Sequence, residues 1–214
     1  MDKKQIIKDI EKISKEMMAK SKAKGHDFPH VRRTRVFALK IAKSIDYDIF
    51  TIEIAALLHD IGNVIERKNH SLHSAKLSKN ILNKYPISKQ DKKEIIQAIK
   101  EHSQPYATTT LGKILQDADK LDAMGAIGLM RVFEFNLEKY PLYDPITPFK
   151  PRKLYKDSKG RVYFKMNELQ YISDVIYIVL QFNNMLNFPI SKKIGKEKTR
   201  LLKDFINIAK KELS

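Results

Sequence analysis

Apolar residues recur at spacings of three and four along most of this chain, which is the pattern of helices that bury one face. The first such stripe is Ile6, Ile10, Ile13 and Met17. Stripes of the same period predict further helices beginning near residues 30, 48, 72, 88 and 111, the last of them reaching about 137 with a break or bend. Two C-terminal helices are predicted within 168–213, at 168–186 and 191–213. No other segment alternates convincingly with the period of a strand, so we expect an all-α fold.

Glycine and proline mark where several of these helices should end. Gly25 predicts that the first helix ends near Lys24, Gly62 that the third ends, and Pro86 that the fourth ends. Segment 140–167 holds four prolines, which predict a long loop with one hairpin around 158–160. Loops of this length are often functional, so we expect a lid or a substrate-selecting element, with a dimer contact as the alternative.

Length and charge limit the classes of protein to consider. The 214 residues suffice for one sizeable core, so we expect a single domain over 1–214. An excess of 41 Lys and Arg over 25 Asp and Glu gives a net charge of +16, which favours polyanions such as nucleotides, nucleic acid or an acidic membrane surface. A biased composition rich in Lys, Ile and Asn accounts for the charge equally well. The absence of cysteine excludes disulfides, zinc fingers, iron–sulfur clusters and thiol nucleophiles.

Neither the N-terminal segment nor the longest uncharged run has the pattern of a membrane segment. Charges recur too often in the first twelve residues, MDKKQIIKDIEK, for the apolar core of a signal peptide. The longest uncharged run, 175–191, contains Gln181 and three asparagines and is a better buried helix than a membrane span. We therefore expect a cytoplasmic, soluble protein without a membrane partner.

The histidines and three aspartates are the candidate chemical groups. All six histidines lie in the first half of the chain: His26, His30, His59, His70, His73 and His102. His59 and Asp60 follow the apolar run 54–58, where a buried carboxylate beside an imidazole needs a compensating cation. Asp119 and Asp122 share a helix face at a spacing of three, so one can bind metal while the other orients a partner.

Three sequence segments resemble a known family. They are GHDFPHVRR at 25–33, AALLHDIG at 55–62 and QDADKLDAMGAIG at 116–128. Together they resemble the motifs of the HD-domain metal-dependent phosphohydrolase superfamily, specifically its stand-alone hydrolases, over about residues 25–135. The resemblance implies a helical bundle in which His30, His59, Asp60 and Asp119 bind a divalent cation.

Members of this superfamily that hold two metals use two further histidines. The segment 98–102, AIKEH, matches the context of one of them and nominates His102. His70 and His73 compete for the other, and His70 is preferred because it stands four residues before Ser74-Ala75. One or two metals are both compatible with this set. In the alternative, the three histidines line the pocket and bind phosphate, which is the role we assign to His73.

The ligand set and its neighbours suggest a mechanism. Nitrogen and carboxylate ligands without sulfur favour Mn, Fe, Co, Ni or Mg over a structural zinc ion. Asp60 is the candidate to orient the attacking water, and Arg33 and Lys120 are candidates to neutralise phosphoryl oxygens. Asp122 is expected to hold a ligand histidine or a substrate hydroxyl, with a purely structural hydrogen bond as the alternative.

The expected activity is hydrolysis of nucleotides or deoxynucleotides, with di- and triphosphates favoured by a strongly electropositive cavity. Family members that act as 5′-nucleotidases carry the motif His-Asp-x-x-Glu, whose glutamate serves the attacking water. Asn63 occupies the glutamate position here, and Glu66 can take over that function only if the loop folds back. A 5′-nucleotidase and a phosphodiesterase on cyclic or oligonucleotides are the enzymatic alternatives. A nucleic-acid-binding accessory protein is the non-enzymatic alternative, and only the net charge favours it. A homodimer is possible.

Overall fold

The computed structural model describes residues 2–21, 23, 25–151, 153, 155–156, 158, 162–163 and 165–213. Within these residues it contains nine α-helices and one two-stranded hairpin, which confirms the all-α prediction. The chain divides into two compact units, Met1–Asp119 and Lys120–Ser214. Whether the chain acts as a single domain stays a prediction. None of the described helices is long and apolar enough to cross a membrane.

The first unit is built around one central helix. Its elements are α1 (Lys3–Met18), α2 (Phe28–Ser44), α3 (Ile49–Leu58), α4 (His70–Leu82), α5 (Lys89–Glu101) and the start of α6 (Thr110–Asp122). Helix α3 reads IFTIEIAALL, which is apolar on almost every face, and it packs against α1, α2 and α5. A 3₁₀ turn, Ile61–Val64, follows α3 and packs against α4. The end of α3 is therefore held in the core from several sides.

Aspartate and serine caps fix where these helices begin. Asp27 accepts a hydrogen bond from the His30 amide at 2.9 Å, and Asp48 accepts one from the Thr51 amide at 2.9 Å. Ser88 accepts one from the Asp91 amide at 3.0 Å, as the sequence signal indicated. Each cap satisfies an otherwise unpaired amide of a first turn, so the register of the following helix is defined.

The second unit packs three helices together, with a small hairpin in the chain before the last two. Helix α7 (Gly125–Asn136) contacts α8 (Ile172–Gln181) and α9 (Pro189–Glu212), and 3₁₀ turns lie at Met166–Glu168 and Phe182–Met185. Strand β1 (Tyr155–Lys156) pairs antiparallel with β2 (Val162–Tyr163), with Tyr155 opposite Tyr163. The two strands flank the predicted hairpin turn, of which residues 159 and 160 lie outside the described residues.

Two predicted helix boundaries differ from the structure, and one predicted break within a helix is confirmed. The first helix ends at Met18 and not near Lys24, and Gly25 instead adopts a positive φ of 70° shortly before α2. The predicted helix 111–137 is broken into α6 and α7, because Gly125 has a φ of 74°. The predicted helix 168–186 is α-helical only over Ile172–Gln181 among the described residues.

Candidate metal centre

Seven imidazole and carboxylate side chains of the first unit converge on one point. This histidine–aspartate cluster consists of His26, His30, His59, Asp60, His70, His102 and Asp119. His30 lies in the first turn of α2, His59 and His102 cap the C-terminal ends of α3 and α5, and His70 begins α4. The members therefore come from six separate places in the sequence, and the packing of the helices brings them together.

Three rings of the cluster are fixed by the backbone one helical turn earlier. The Nδ1–H of His59 donates to the Ala56 carbonyl at 2.8 Å, and that of His102 donates to the Ile99 carbonyl at 2.6 Å. His70 does the same to the Arg67 carbonyl at 3.0 Å. A carbonyl oxygen only accepts hydrogen bonds, so Nδ1 carries the proton and each neutral ring presents the bare Nε2 lone pair. This tautomer is the one that binds a metal ion through Nε2.

The Nε2 atoms meet in two pairs. The Nε2 of His59 is 3.3 Å from the Nε2 of His30, and the Nε2 of His70 is 3.2 Å from the Nε2 of His102. In the second pair both rings donate Nδ1–H to the backbone, so both turn Nε2 towards the same point, where the two nitrogens can bind one cation. Two ligands that each bind one ion at about 2.1 Å are separated by about 3.0–3.4 Å. The observed separations fit that requirement.

The carboxylate of Asp60 lies between the two histidine pairs. Its Oδ2 is 3.4 Å from the Nε2 of His30 and 3.8 Å from the Nε2 of His59. Its Oδ1 is 3.4 Å from the Nε2 of His70 and 3.6 Å from the Nε2 of His102. Each carboxylate oxygen therefore faces one pair, and Asp60 can bridge two ligand groups.

Asp119 completes the side of the cluster that contains His30. Its Oδ1 is 3.4 Å from the Nε2 of His30, and ligand atoms of His30, His59 and Asp119 lie within 4.8 Å of one another. Its side chain is 30% exposed, whereas those of His30 and His59 are fully buried. The structure thus brings together all six residues expected as metal ligands, and their binding of metal is a proposal developed below.

Burial and mutual contacts set the charges of the cluster. Burial lowers the pKa of His59 and of His70 to about 4, so both rings are neutral at pH 7. Burial alone raises the pKa of Asp60, but the neighbouring imidazoles, led by His59 and His26, outweigh it and hold the pKa well below its ordinary value. The pKa of Asp119 is lowered in the same way, with His30 as the main opposing partner to burial. Neutral imidazoles and ionised carboxylates are the forms that bind divalent cations.

His26 belongs to the cluster, although no role was predicted for it from the sequence. Its Nδ1 is 2.9 Å from Oδ2 of Asp60, and its ring stands edge-on to the ring of His30 at 5.2 Å between centroids. It lies in the turn before α2, where helical periodicity carries no information. The signal that could have found it is its position two residues before the first turn of α2, which carries His30.

His73 lies apart from the buried rings. Its Nε2 is 3.0 Å from Oε1 of Glu66, and both side chains are partly exposed. Asn63 donates from Nδ2 to the backbone carbonyl of Asp60 at 2.9 Å and accepts from Arg67 at 3.3 Å. The structure therefore places His70 against His102 and leaves His73 with Glu66. The substrate-binding role of His73 stays a prediction.

The remaining candidates flank the ligand residues along the chain. Arg33 is half-buried on α2, one turn after His30, and the half-buried Lys120 follows Asp119 in α6 as the first residue of the second unit. Asp122 is 2% exposed and accepts a hydrogen bond from Nη1 of Arg131 at 2.7 Å. This ion pair matches the structural alternative for Asp122, and a substrate contact by Arg33, Lys120 or Asp122 stays a prediction.

Glu101 is a second residue that the sequence did not single out. It is 2% exposed, and its carboxylate accepts hydrogen bonds from the amides of Thr108 and Thr109 at 3.0 and 3.3 Å. The side chain of Gln116 donates to the backbone carbonyl of Glu101 at 3.1 Å. These contacts hold the chain on either side of His102, so that its ring is positioned by the loop as well as by α5.

The fold and this cluster define an HD-domain protein. The HD domain family matches residues 28–124, which contain His30, His59, Asp60 and Asp119. Residues 28–124 thus form an HD domain, which places this segment of the chain in the HD-domain superfamily.

Relatives resemble the chain along nearly its whole length, as expected for a stand-alone member. The YpgQ protein of Bacillus subtilis is 25% identical over 198 residues, covering 88% of this chain and 85% of YpgQ. The crystal structure of YpgQ in complex with ADP is 24% identical, covers 99% of this chain and 97% of that one, and has a TM-score of 0.74. The crystal structure of an HD-superfamily hydrolase of Bacillus thuringiensis is 25% identical, covers 99% and 98%, and has a TM-score of 0.73.

Proposed function

We propose that this protein is a metal-dependent phosphohydrolase that acts on nucleotides and favours di- and triphosphates. The observation that carries the proposal is the position of Asp60, whose two carboxylate oxygens face two pairs of histidines. The YpgQ crystal complex with ADP supports a nucleotide as the ligand of this chain as well.

The donor atoms of the cluster fit one or two divalent cations. They are imidazole nitrogens and carboxylate oxygens, which suit Mn, Fe, Co, Ni or Mg. We favour two ions: His30, His59, Asp119 and Asp60 would hold the first, and His70, His102 and Asp60 would hold the second. A divalent cation supplies polarisation of a phosphoryl group and activation of water.

The charge of the cluster selects the substrate. The carboxylates of Asp60 and Asp119 are ionised and the rings of His59 and His70 are neutral, so two divalent cations would exceed the charge of the two carboxylates by +2. Such a site attracts a multiply charged phosphate more strongly than a monoanionic ester. We assign Arg33 and Lys120 to binding of the phosphate as well. Arg33 lies one helical turn after His30, and Lys120 directly follows Asp119. Asp60 orients the attacking water because its carboxylate is the one that both ligand sets share.

The contacts of Asn63 argue against a 5′-nucleotidase. Its amide is engaged with the Asp60 carbonyl and with Arg67, and an amide does not accept a proton from water. Glu66, the other candidate for this role, is bonded to Asn69 and His73 at the surface. The position that supplies a proton acceptor in nucleotidases therefore supplies none here.

A substrate screen tests the proposal. Metal-stripped protein is reloaded with Mn, Co, Ni or Mg and assayed against nucleoside mono-, di- and triphosphates and bis-p-nitrophenyl phosphate. We expect metal-dependent turnover with the highest kcat/KM for di- or triphosphates, loss of turnover in Asp60→Asn, and no change in the surface control Lys76→Ala. The best turnover on bis-p-nitrophenyl phosphate supports the phosphodiesterase instead, and the best turnover on monophosphates supports the nucleotidase. Absence of turnover in every metal form contradicts the enzymatic proposal.

A further inference from the structure

The contact between His26 and Asp60 differs in kind from the other contacts of that carboxylate. The Nδ1 of His26 is 2.9 Å from Oδ2 of Asp60, which is a normal hydrogen-bond length. The four other imidazoles approach the carboxylate at 3.4–3.8 Å, which is the separation of atoms that share a cation. His26 is therefore bonded to Asp60 directly, without an ion between them.

The proton of this hydrogen bond must belong to His26. A carboxylate that binds a cation is ionised and can only accept, so in the 2.9 Å contact Nδ1 of His26 carries the hydrogen and donates it. A nitrogen that carries a proton has no lone pair for a metal ion. In His59, by contrast, the Nδ1 proton is used on a backbone carbonyl and the bare Nε2 faces the cluster. Ligand atoms of His26, His30 and Asp60 lie within 4.8 Å of one another, but the Nδ1 of His26 that faces them spends its proton on Asp60 and so offers no lone pair to an ion.

The turn that carries His26 is itself fixed. Gly25 has a φ of 70°, which turns the chain immediately before His26, and Asp27 caps α2 through the His30 amide. The same helix start therefore places both His26 and the ligand His30. An oxygen of a carboxylate has two lone pairs, so Oδ2 of Asp60 can accept from His26 and still face His30.

We propose that His26 is a positioning residue that fixes the plane of the Asp60 carboxylate by donating Nδ1–H to Oδ2, so that each oxygen faces its own histidine pair. This assignment rests on the proposed function, because it requires that the cluster binds metal. A carboxylate held on one oxygen keeps both oxygens oriented, and a freely rotating one does not. The role belongs to His26 and not to the metal ligands themselves.

A set of four substitutions tests the role of the donor. Asparagine places its amide N–H near the position of Nδ1, whereas glutamine places it one carbon further out, near Nε2. His26→Asn therefore keeps the donor, and His26→Gln, His26→Ala and His26→Phe remove it. The readout is Mn²⁺ affinity and stoichiometry, measured with the metal alone. We expect about 10–100-fold weaker affinity in Gln, Ala and Phe, as for other hydrogen-bond partners of metal ligands, and affinity close to that of the unmodified protein in Asn.

Two outcomes overturn the proposal. If His26→Asn loses as much affinity as His26→Ala, the donor is not what matters, and if His26→Ala keeps full affinity, His26 has no positioning role. Should the alanine variant fail to fold, the comparison of Asn with Gln decides, because the two differ only in where the amide lies. In the metal-free protein, ¹⁵N NMR of the histidine rings should show His26 protonated at Nδ1, and an Nε2-protonated ring with a bare Nδ1 contradicts the assignment.

A separate measurement distinguishes failure of this proposal from failure of the proposed function. His59→Ala removes a ligand and leaves the contact between His26 and Asp60 in place. If His59→Ala binds as many Mn²⁺ ions per chain, and as tightly, as the unmodified protein, the cluster is not the metal site and the proposed function fails. If His59→Ala loses Mn²⁺ while all His26 variants keep it, only the positioning role fails.

Discussion

The ring nitrogen that carries the proton determines which histidines of the cluster can serve as metal ligands. His59, His70 and His102 each donate Nδ1–H to a carbonyl within their own segment, so a local backbone contact decides what the ring offers to the cluster. His26 uses the same nitrogen on a carboxylate and is thereby excluded as a ligand. Residue type alone does not reveal this difference, since all of them read as histidine in the sequence.

Removing one buried ligand should abolish binding of the ion assigned to His30, His59 and Asp119, and turnover with it. His59→Ala deletes an Nε2 that lies 3.3 Å from the Nε2 of His30 in a fully buried position where water is a poor replacement. We expect Mn²⁺ affinity to fall by more than about 100-fold, beyond the loss caused by changing a residue that only orients a ligand. Elemental analysis after gel filtration measures this. Retention of that ion by the variant contradicts the ligand assignment.

The number of ions follows from a second substitution. His102 and His70 form the pair that faces Oδ1 of Asp60. Neither belongs to the ligand group formed by His30, His59 and Asp119. His102→Ala should therefore lower the metal content from near two to near one per chain, since the ligand set that contains Asp119 stays intact. Mass spectrometry under native conditions and elemental analysis both report the count. A protein that never binds more than one ion contradicts the two-ion proposal.

At the scale of elements, the 3₁₀ turn Ile61–Val64 connects the end of α3 to α4 and sets the distance between Asp60 and His70. The amide of Gly62 donates to Oγ of Ser74 at 2.8 Å. A Cβ at Gly62 would lie 2.2 Å from the His70 carbonyl oxygen and 2.4 Å from the Ser74 amide nitrogen. Backbone atoms of α4 thus contact this turn directly. The clash made by a larger residue at position 62 cannot be relieved by rotating a side chain.

Gly62→Ala should therefore affect stability and metal binding at once. We expect a loss of about 3 kcal/mol in the free energy of unfolding, the upper part of the usual range for overpacking. Because the turn has to move away from α4, Asp60 and His70 should separate and Mn²⁺ affinity should fall. Urea denaturation and Mn²⁺ titration measure the two effects. Lys76→Ala, an exposed change on α4, is the control and should stay within about 0.5 kcal/mol.

The sequence predicted those elements whose signals are local. The all-α class and the starts of α2, α3 and α5 near their caps agree with the structure. The structure also places His70 against His102, and the preference for His70 as a metal ligand stays a prediction. The break between α6 and α7 was placed only loosely, because periodicity does not report the positive φ of Gly125. His26 and Glu101 were missed, since their partners Asp60 and Thr108 are brought to them by loops. Contacts made by irregular chain leave no periodic pattern to detect.

At the scale of the whole molecule, the net charge of +16 raises the local concentration of any polyanion, whichever site it uses. Such long-range attraction is screened within about 8–10 Å at ordinary ionic strength, whereas contacts inside a partly dry site are screened much less. Substrate preference measured at rising salt therefore separates the two contributions.

We expect the preference for di- and triphosphates over monophosphates to persist when ionic strength is raised to about 0.3 M, because it is set within the site and not by the surface. Lys120→Ala should narrow that preference by removing one cation next to Asp119 in the sequence. Comparison of kcat/KM at two salt concentrations for each substrate measures both effects. If the preference for di- and triphosphates disappears at high salt in the unmodified protein, the surface charge and not the site causes it.

The paired lone pairs of His70 and His102 have a consequence for folding. These two nitrogens lie 3.2 Å apart in a buried place on two different helices, so one cation bound by both would hold the start of α4 and the end of α5 together. An ion that binds only the folded chain adds about 2.7 kcal/mol at a hundredfold excess over its Kd. That gain raises the midpoint of thermal unfolding by about 5–10 °C for a chain of this size. A Mn²⁺ ion bound by His70 and His102 should therefore stabilise the first unit, and the shift should be smaller in His102→Ala, which removes one of its ligands.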